Sequence, residues 1–141
     1  MDMAAAHCEL CVTDSSQVIW ANARCRVIQV DDPGFPGYCR VIWQEHVIEN
    51  SDLAIEDRDF LMQVLFEVES AVRQIAQADK INLASFGNVV PHLHWHIIPR
   101  WRDDSHFPQP VWGAQQRSGT PRSIDKVALA QNICKRLERL K

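Results

Sequence analysis

A chain of 141 residues, 46% hydrophobic and 23% charged, holds enough apolar material for one domain with its own core and no disulfide staples. Its net charge of −3 excludes a nucleic-acid backbone as the main partner, because that needs a clear excess of Lys and Arg. A local site for one small anion stays open.

The opening residues, Met1 to His7, have no basic n-region and no long apolar run, and predict a simple tail rather than a secretory leader. Five cysteines without an export signal predict reduced thiols in a cytoplasm. Cys8-Glu9-Leu10-Cys11 is a C-x-x-C pair with no second pair or H-x₃-H at finger spacing. Gln17–Asn22 and Arg24–Asp31 read as two strands with Ala21-Asn22-Ala23 as the turn, and Val18, Ile19, Val27, Ile28 and Val30 give them β-branched content. Two Pro and two Gly mark 31–37 as a loop, and Tyr38–Trp43 returns as a third strand.

Glu56–Ala78 carries Phe60, Leu61, Val64, Leu65, Val68, Val72 and Ile75 at steps of three and four, the pattern of an amphipathic helix, with Ser51 or Asp52 near enough to cap it. Ile81–Phe86 and Leu93–Ile98 read as a fourth and a fifth strand. Residues 81–99 lack Lys, Arg, Asp and Glu, yet their two Asn, three His and two Pro rule out a membrane span. Trp101–Arg122 is rich in Pro, Trp and charge and predicts an ordered, irregular tail. Within it Trp101, Trp112 and His106 either pack, cover a base or close a dimer. Ser123–Leu140 reads as a terminal helix with Ile124, Val127, Leu129, Ala130, Ile133, Leu137 and Leu140 on its apolar side. Its charged side, with Lys126, Lys135, Arg136, Glu138 and Arg139, reads as a solvated face, and Cys25, Cys39 and Cys134 fall at packing positions.

The fifth strand carries the chemistry. Residues i, i+2 and i+4 of a strand share a face, so His92, His94 and His96 line one side and Leu93, Trp95 and Ile97 the other. Pro91 and Pro99 bracket the run as strand ends. Three imidazoles on one face are costly to bury without partners, which argues against histidines with no task. Two tasks fit the residue type: ligands for a metal, and a nucleophilic imidazole attacking phosphorus with its neighbours holding the oxyanions. The preceding loop, Asn82-Leu83-Ala84-Ser85-Phe86-Gly87-Asn88, supplies amides, a hydroxyl and a glycine, which suit phosphate oxygens and favour the second task.

The run His92-Leu93-His94-Trp95-His96-Ile97-Ile98-Pro99-Arg100 resembles the signature of the histidine-triad (HIT) superfamily, and among its members the small bacterial diadenosine tetraphosphate hydrolases. Gly87-Asn88 stands where many members have Gly-Gln, and Asp31 with Pro36-Gly37-Tyr38-Cys39-Arg40-Val41-Ile42 is similar to the strand–Pro-Gly–strand segment that holds the nucleoside. The likeness covers about residues 8–100, with 101–141 as the variable part of one domain. It implies an α+β HIT-like fold: an antiparallel sheet of about five strands, one long helix, a C-terminal helix and a homodimer. It implies a catalytic set of His94 as nucleophile, His96 on the phosphate oxygens or leaving group, and His92 orienting the site. Asp31 would hold the ribose hydroxyls, Asn82 and Asn88 would lie on the phosphate side, and Arg100 would neutralise further phosphates.

The activity implied is cleavage at the α-phosphate of a dinucleoside polyphosphate or a nucleoside phosphoramidate, through a nucleotidyl-histidine and with no cofactor. A structural zinc is implied by relatives that use such a Cys pair, a His after the third strand and the first triad His. Here these are Cys8, Cys11, His46 and His92. The redox alternative for the pair lacks a βαβ setting. The partner expected is a small nucleotide, with neither nucleic acid nor membrane. Two competing functions stay in view, a metal-dependent hydrolase with the His strand as ligands and a nucleotide-binding module with little turnover.

Overall fold

The computed structural model describes residues 8–11 and 17–140, so the expected tail at His7 lies outside the described residues. Five strands form one antiparallel sheet in the order β1-β2-β3-β5-β4. They are β1 (Val18–Ala21), β2 (Cys25–Gln29), β3 (Cys39–Trp43), β4 (Lys80–Ala84) and β5 (His94–Arg100). Two helices, α1 (Ile55–Ala76) and α2 (Lys126–Leu137), complete the α+β architecture. Every expected element is present, with ends that differ by a few residues.

The sheet divides its residues by pleat. Cys25, Val27, Cys39, Val41, Trp43, Ile81 and Ile97 pack against Phe60, Leu61, Val64, Leu65, Val68 and Val72 of α1 and against Leu129, Ile133 and Leu137 of α2. Burying a Leu, Ile, Val or Phe side chain is worth roughly 1.5–3 kcal/mol, so this one face supplies most of the hydrophobic stabilisation. Val127, expected on the apolar side of α2, is 67% exposed. It lies two positions from Leu129, about 200° around the helix, and so faces away. Asp125, not Ser123, starts the helix: its carboxylate accepts from the Ala128 amide at 2.9 Å.

The start of α1 also differs from expectation. Its N-cap is Ala54, which has no side-chain acceptor. Asp52 is already committed, because its carboxylate accepts the Glu49 amide at 3.0 Å and closes a single 3₁₀ turn over Asn50–Asp52. At the other end the chain leaves the helix at Gln77, in the left-handed region with φ 49°.

Pro99 does not end β5 but sits inside it, opposite Ile81 of β4. The rungs to β3 stop at Cys39–Ile97, so Pro99 has a strand neighbour on one side only, and a missing N–H costs no ladder bond on the other. The 101–122 segment has turns and bends but neither helix nor strand, as expected. It is fixed by side chains: Arg117 donates to the carbonyls of Asp104 and Phe107, and Arg122 pairs with Asp103. Trp101 at its start is buried in the core.

Candidate active site and metal centre

The second face of the sheet is covered only in part. On one side the Cys8–Cys11 loop packs Cys8 and Leu10 on Ile28 and Ile42, with Val18 and Val90 beside them. On the other, Phe35 and Tyr38 pack on Ile98, with Val111 of the tail. A cavity of about 280 Å³ lies between, lined by Glu9, Leu10, Arg40, Phe86, Val89, Val90, His94, His96 and Trp112. Its histidines come from β5. Register places His94 opposite Ile42 and His96 opposite Arg40, so all four share this face.

Each triad ring is oriented by a different oxygen. His94 Nδ1–H donates to the His92 carbonyl at 2.5 Å, leaving Nε2 with its lone pair. His96 Nε2–H donates to the Phe86 carbonyl at 3.4 Å, so Nδ1 accepts the Tyr38 hydroxyl at 2.5 Å. His92 lies before the strand and not in it. Its Nε2–H donates to the Trp43 carbonyl at 2.6 Å, and its Nδ1 faces the cysteines. Burial is the first cause that lowers the affinity of all three for a proton. The Arg40 charge adds to it at His94, and the charges of His94 and Arg40 add to it at His96, which falls to about 4. Near neutral pH the strand therefore presents neutral imidazoles.

The Ser85–Pro91 loop runs close over His94. A Cβ at Gly87 would meet the Val90 carbonyl at 3.0 Å and His94 Cε1 at 3.8 Å, so glycine is what allows this approach. Asn88, Gly87 and Ser85 line a smaller pocket shared with His92 and His94. The Ser85 hydroxyl donates to the His94 carbonyl at 3.3 Å and accepts from Asn50 at 3.2 Å, so here it braces β5.

Three expected substrate contacts are placed elsewhere. Arg100 is 2% exposed, pairs with Asp104 through Nε at 2.9 Å and Nη2 at 3.0 Å, and donates to the Asn82 side chain at 2.8 Å and the Gln109 carbonyl at 2.7 Å. This buried knot corrects its expected position on the phosphates. Asn82 shares the histidine face but stands opposite Ile98, beyond His96, with its oxygen taken by Arg100. Asp31 lies apart from the histidine cavity, in a groove with Val18, Ile19 and α2, 4.0 Å from Lys126. Its neighbour Asp32 is spent locally, accepting the Gly34 amide at 3.0 Å.

Sequence reasoning gave Tyr38 and Arg40 no role beyond membership of the strand–Pro-Gly–strand segment and Phe86 none beyond the donor loop, and it left Trp112 between packing, covering a base and closing a dimer. Trp112 stacks on Phe86 at 4.8 Å between ring centres and sets its edge on His96 at 4.9 Å. Arg40 was legible in principle, since a strand position two after Tyr38 and two before Ile42 shares their face.

Cys8, Cys11, His46 and His92 meet at the end of the Cys loop, with one donor atom from each within 4.8 Å of the others. Cys8 Sγ lies 3.4 Å from His92 Nδ1, Cys11 Sγ 3.3 Å from both His46 Nδ1 and His92 Nδ1, and the two Nδ1 atoms are 3.2 Å apart. A tetrahedral ion with Zn–S near 2.3 Å and Zn–N near 2.0–2.1 Å separates its ligand atoms by roughly 3.3–3.8 Å, so this set could hold a metal. The His92–Trp43 bond supplies the outer carbonyl that such ligands use to fix the ring. Arg26 braces the loop, donating to the Leu10 carbonyl and to Gln44, and its charge lies beside both sulfurs. Away from this group, burial pushes Cys25 and Cys39 up to about 12, which makes them inert packing residues.

An α+β sheet with oriented neutral imidazoles on its second face, beside a Cys₂His₂ group, defines a histidine-triad protein. The HIT domain model matches residues 13–103, and the chain belongs to that family. A histidine triad protein from Bradyrhizobium japonicum is 30% identical, with a TM-score of 0.66 over 89% of this chain and 91% of that one. A HIT-like protein of Saccharolobus solfataricus is 26% identical over 96 residues, 64% of this chain and 69% of its own length. A Zn-bound histidine triad family protein from Mycobacterium smegmatis shares the fold, at 20% identity and a TM-score of 0.62 over 96% of both chains. No helix among the described residues is long and apolar enough to cross a membrane.

Proposed function

We propose that this chain is a nucleotide hydrolase or transferase that cleaves at the α-phosphate of a dinucleoside polyphosphate or nucleoside phosphoramidate, with His94 as nucleophile. The observation that carries this reading is the 2.5 Å bond from His94 Nδ1–H to the His92 carbonyl, which leaves Nε2 unprotonated on a ring that lines the cavity. Nε2 forms a bond to the α-phosphorus, the bond to the leaving group breaks, and its electron pair departs with that group. Water then attacks the phosphorus, releases the nucleoside monophosphate and restores the imidazole. His96 contacts the phosphate oxygens or the leaving group, and the apolar lining of Leu10, Val89, Val90, Phe86 and Trp112 suits a base.

Cys8, Cys11, His46 and His92 hold a structural zinc in this reading, supported by the donor set and by the Zn-bound mycobacterial relative. Catalysis itself needs no cofactor. Among the described residues the group able to hold a metal includes His92 but neither His94 nor His96, which favours the nucleophile over a metal-dependent hydrolase. The protein acts as a homodimer in this proposal, for β1 and β4 are the outer strands of the sheet and a second copy can cover one of them. Sedimentation at micromolar concentration gives the mass of two chains if so, and of one if not.

The test is a panel of dinucleoside polyphosphates and phosphoramidates on wild type and His94→Ala. We expect a rate loss of more than about 10³-fold in the variant and a nucleotide adduct on His94 in wild type. Full activity in His94→Ala would overturn the mechanism. Tight nucleoside monophosphate binding without turnover would favour a binding module.

A further inference from the structure

We propose that Arg40 is the anion-holding side chain of the histidine cavity, taking a non-bridging oxygen of the substrate's phosphate beside His94 and His96. The inference rests on the nucleotide reading above and adds to it a residue that the triad motif does not contain.

Three observations carry it. Arg40 stands directly opposite His96 across the β3–β5 ladder and lines the same cavity as both histidines. Its Nε is buried and has no hydrogen-bond partner, an unfavourable state for a donor. Such an orphan donor in a folded protein calls for a ligand or an ordered water to complete it. The other arginines on this face are already spent, Arg26 on Gln44 and the Leu10 carbonyl, and Arg100 on Asp104, Asn82 and the Gln109 carbonyl. Arg40 is engaged by Tyr38, through a side-chain hydrogen bond to its hydroxyl and with the ring centre 5.7 Å from the guanidinium, and both contacts leave the Nε donor unused.

The chemistry fits the position. A nucleoside phosphate brings at least one negative charge to a cavity whose two imidazoles are neutral. Glu9 adds a carboxylate to the lining, and Arg40 supplies the fixed positive charge among the lining residues, on the same rung as His96. A guanidinium stays charged at any working pH, and its planar fork matches two phosphate oxygens. The Arg40 charge, in the same cavity as both histidines, attracts phosphate oxygens towards them.

Calorimetric titration with AMP and with adenosine tests the assignment on wild type, Arg40→Gln and Arg40→Lys. We expect Arg40→Gln to weaken AMP by 10-fold or more and adenosine by less than 2-fold, with Arg40→Lys between. Equal losses for both ligands, or no loss for AMP, would overturn the role of Arg40 while leaving the nucleotide reading intact. Wild type that binds neither AMP nor adenosine would overturn the nucleotide reading, and this inference with it. Should Arg40→Gln fail to fold, inorganic phosphate added to wild type gives a second measurement. It is expected to compete with AMP and not with adenosine, and failure to compete with AMP would count against the proposal.

Discussion

His94 and His96 stand two residues apart on one strand, yet their neighbours give them different tasks. The carbonyl of His92 takes the Nδ1 proton of His94 and exposes Nε2, whereas the Tyr38 hydroxyl and the Phe86 carbonyl hold both nitrogens of His96. Burial first, then the charges of His94 and Arg40, bring His96 from the ordinary 6.5 to about 4. An NMR titration is expected to find this imidazole neutral down to about pH 4, and a midpoint near 6.5 would contradict the burial argument. Arg40→Gln should move the midpoint upward, because it removes a positive neighbour. The same shift is a statement about stability. Between about pH 6.5 and 4 the unfolded chain binds a proton at residue 96 that the folded chain does not. Stability is therefore full above the unfolded value and falls as pH drops through this window. Denaturant melts at pH 7 and pH 5 are expected to show it, and His96→Gln should reduce the difference.

At the scale of elements, the strands were legible and their partners were not. Alternation of His with apolar residues identified β5 and its two faces, because a pleat has period two. It did not tell that β5 lies between β3 and β4, where Pro99 is tolerated because the β3 ladder has already ended. Nor did it foresee that the irregular tail is strapped down by Arg100. Burial by itself would raise the Asp104 carboxyl, but the Arg100 guanidinium and the amides of Trp101, His106 and Phe107 outweigh it and hold the group below its usual range. Asp104→Asn leaves the Arg100 charge buried without its partner. A loss of about 3–5 kcal/mol in denaturant unfolding is expected for a broken buried pair. A change under 1 kcal/mol would show that the tail contributes little to the fold. Trp112 comes from the same tail, so this variant should also disturb the wall of the cavity next to His96.

Across the whole molecule the Cys₂His₂ group and the cavity are joined through His92. His92 offers Nδ1 to the Cys₂His₂ group, while its own carbonyl orients the nucleophile. Removing the metal of the proposed centre with a chelator should loosen the Cys8–Cys11 loop, which also supplies Glu9 and Leu10 to the cavity. We expect a lower Tm and a fall in turnover of about 10- to 100-fold, restored by added zinc. Chelation that lowers Tm but leaves turnover untouched would show that the His92 carbonyl keeps its place without the metal.

The sequence by itself determined the five strands, the two faces of the histidine strand, both helices and the neutral-donor loop, and the four residues of the Cys₂His₂ group came from the resemblance to histidine-triad relatives. The elements rest on periodicity and turn chemistry, which act over neighbouring positions. Only the tertiary structure decided which polar groups reach the cavity. Arg100 and Arg40 are both arginines on the same sheet face, and no local rule ranks them. Arg100 meets Asp104 and is spent in the interior, while Arg40 meets His96 across a ladder that joins residues 56 positions apart and keeps a buried donor without a partner. Asp31 was carried to Lys126 of α2 in the same way. A side chain's role follows from the group it meets, and those meetings are fixed by long-range packing that the local sequence does not contain.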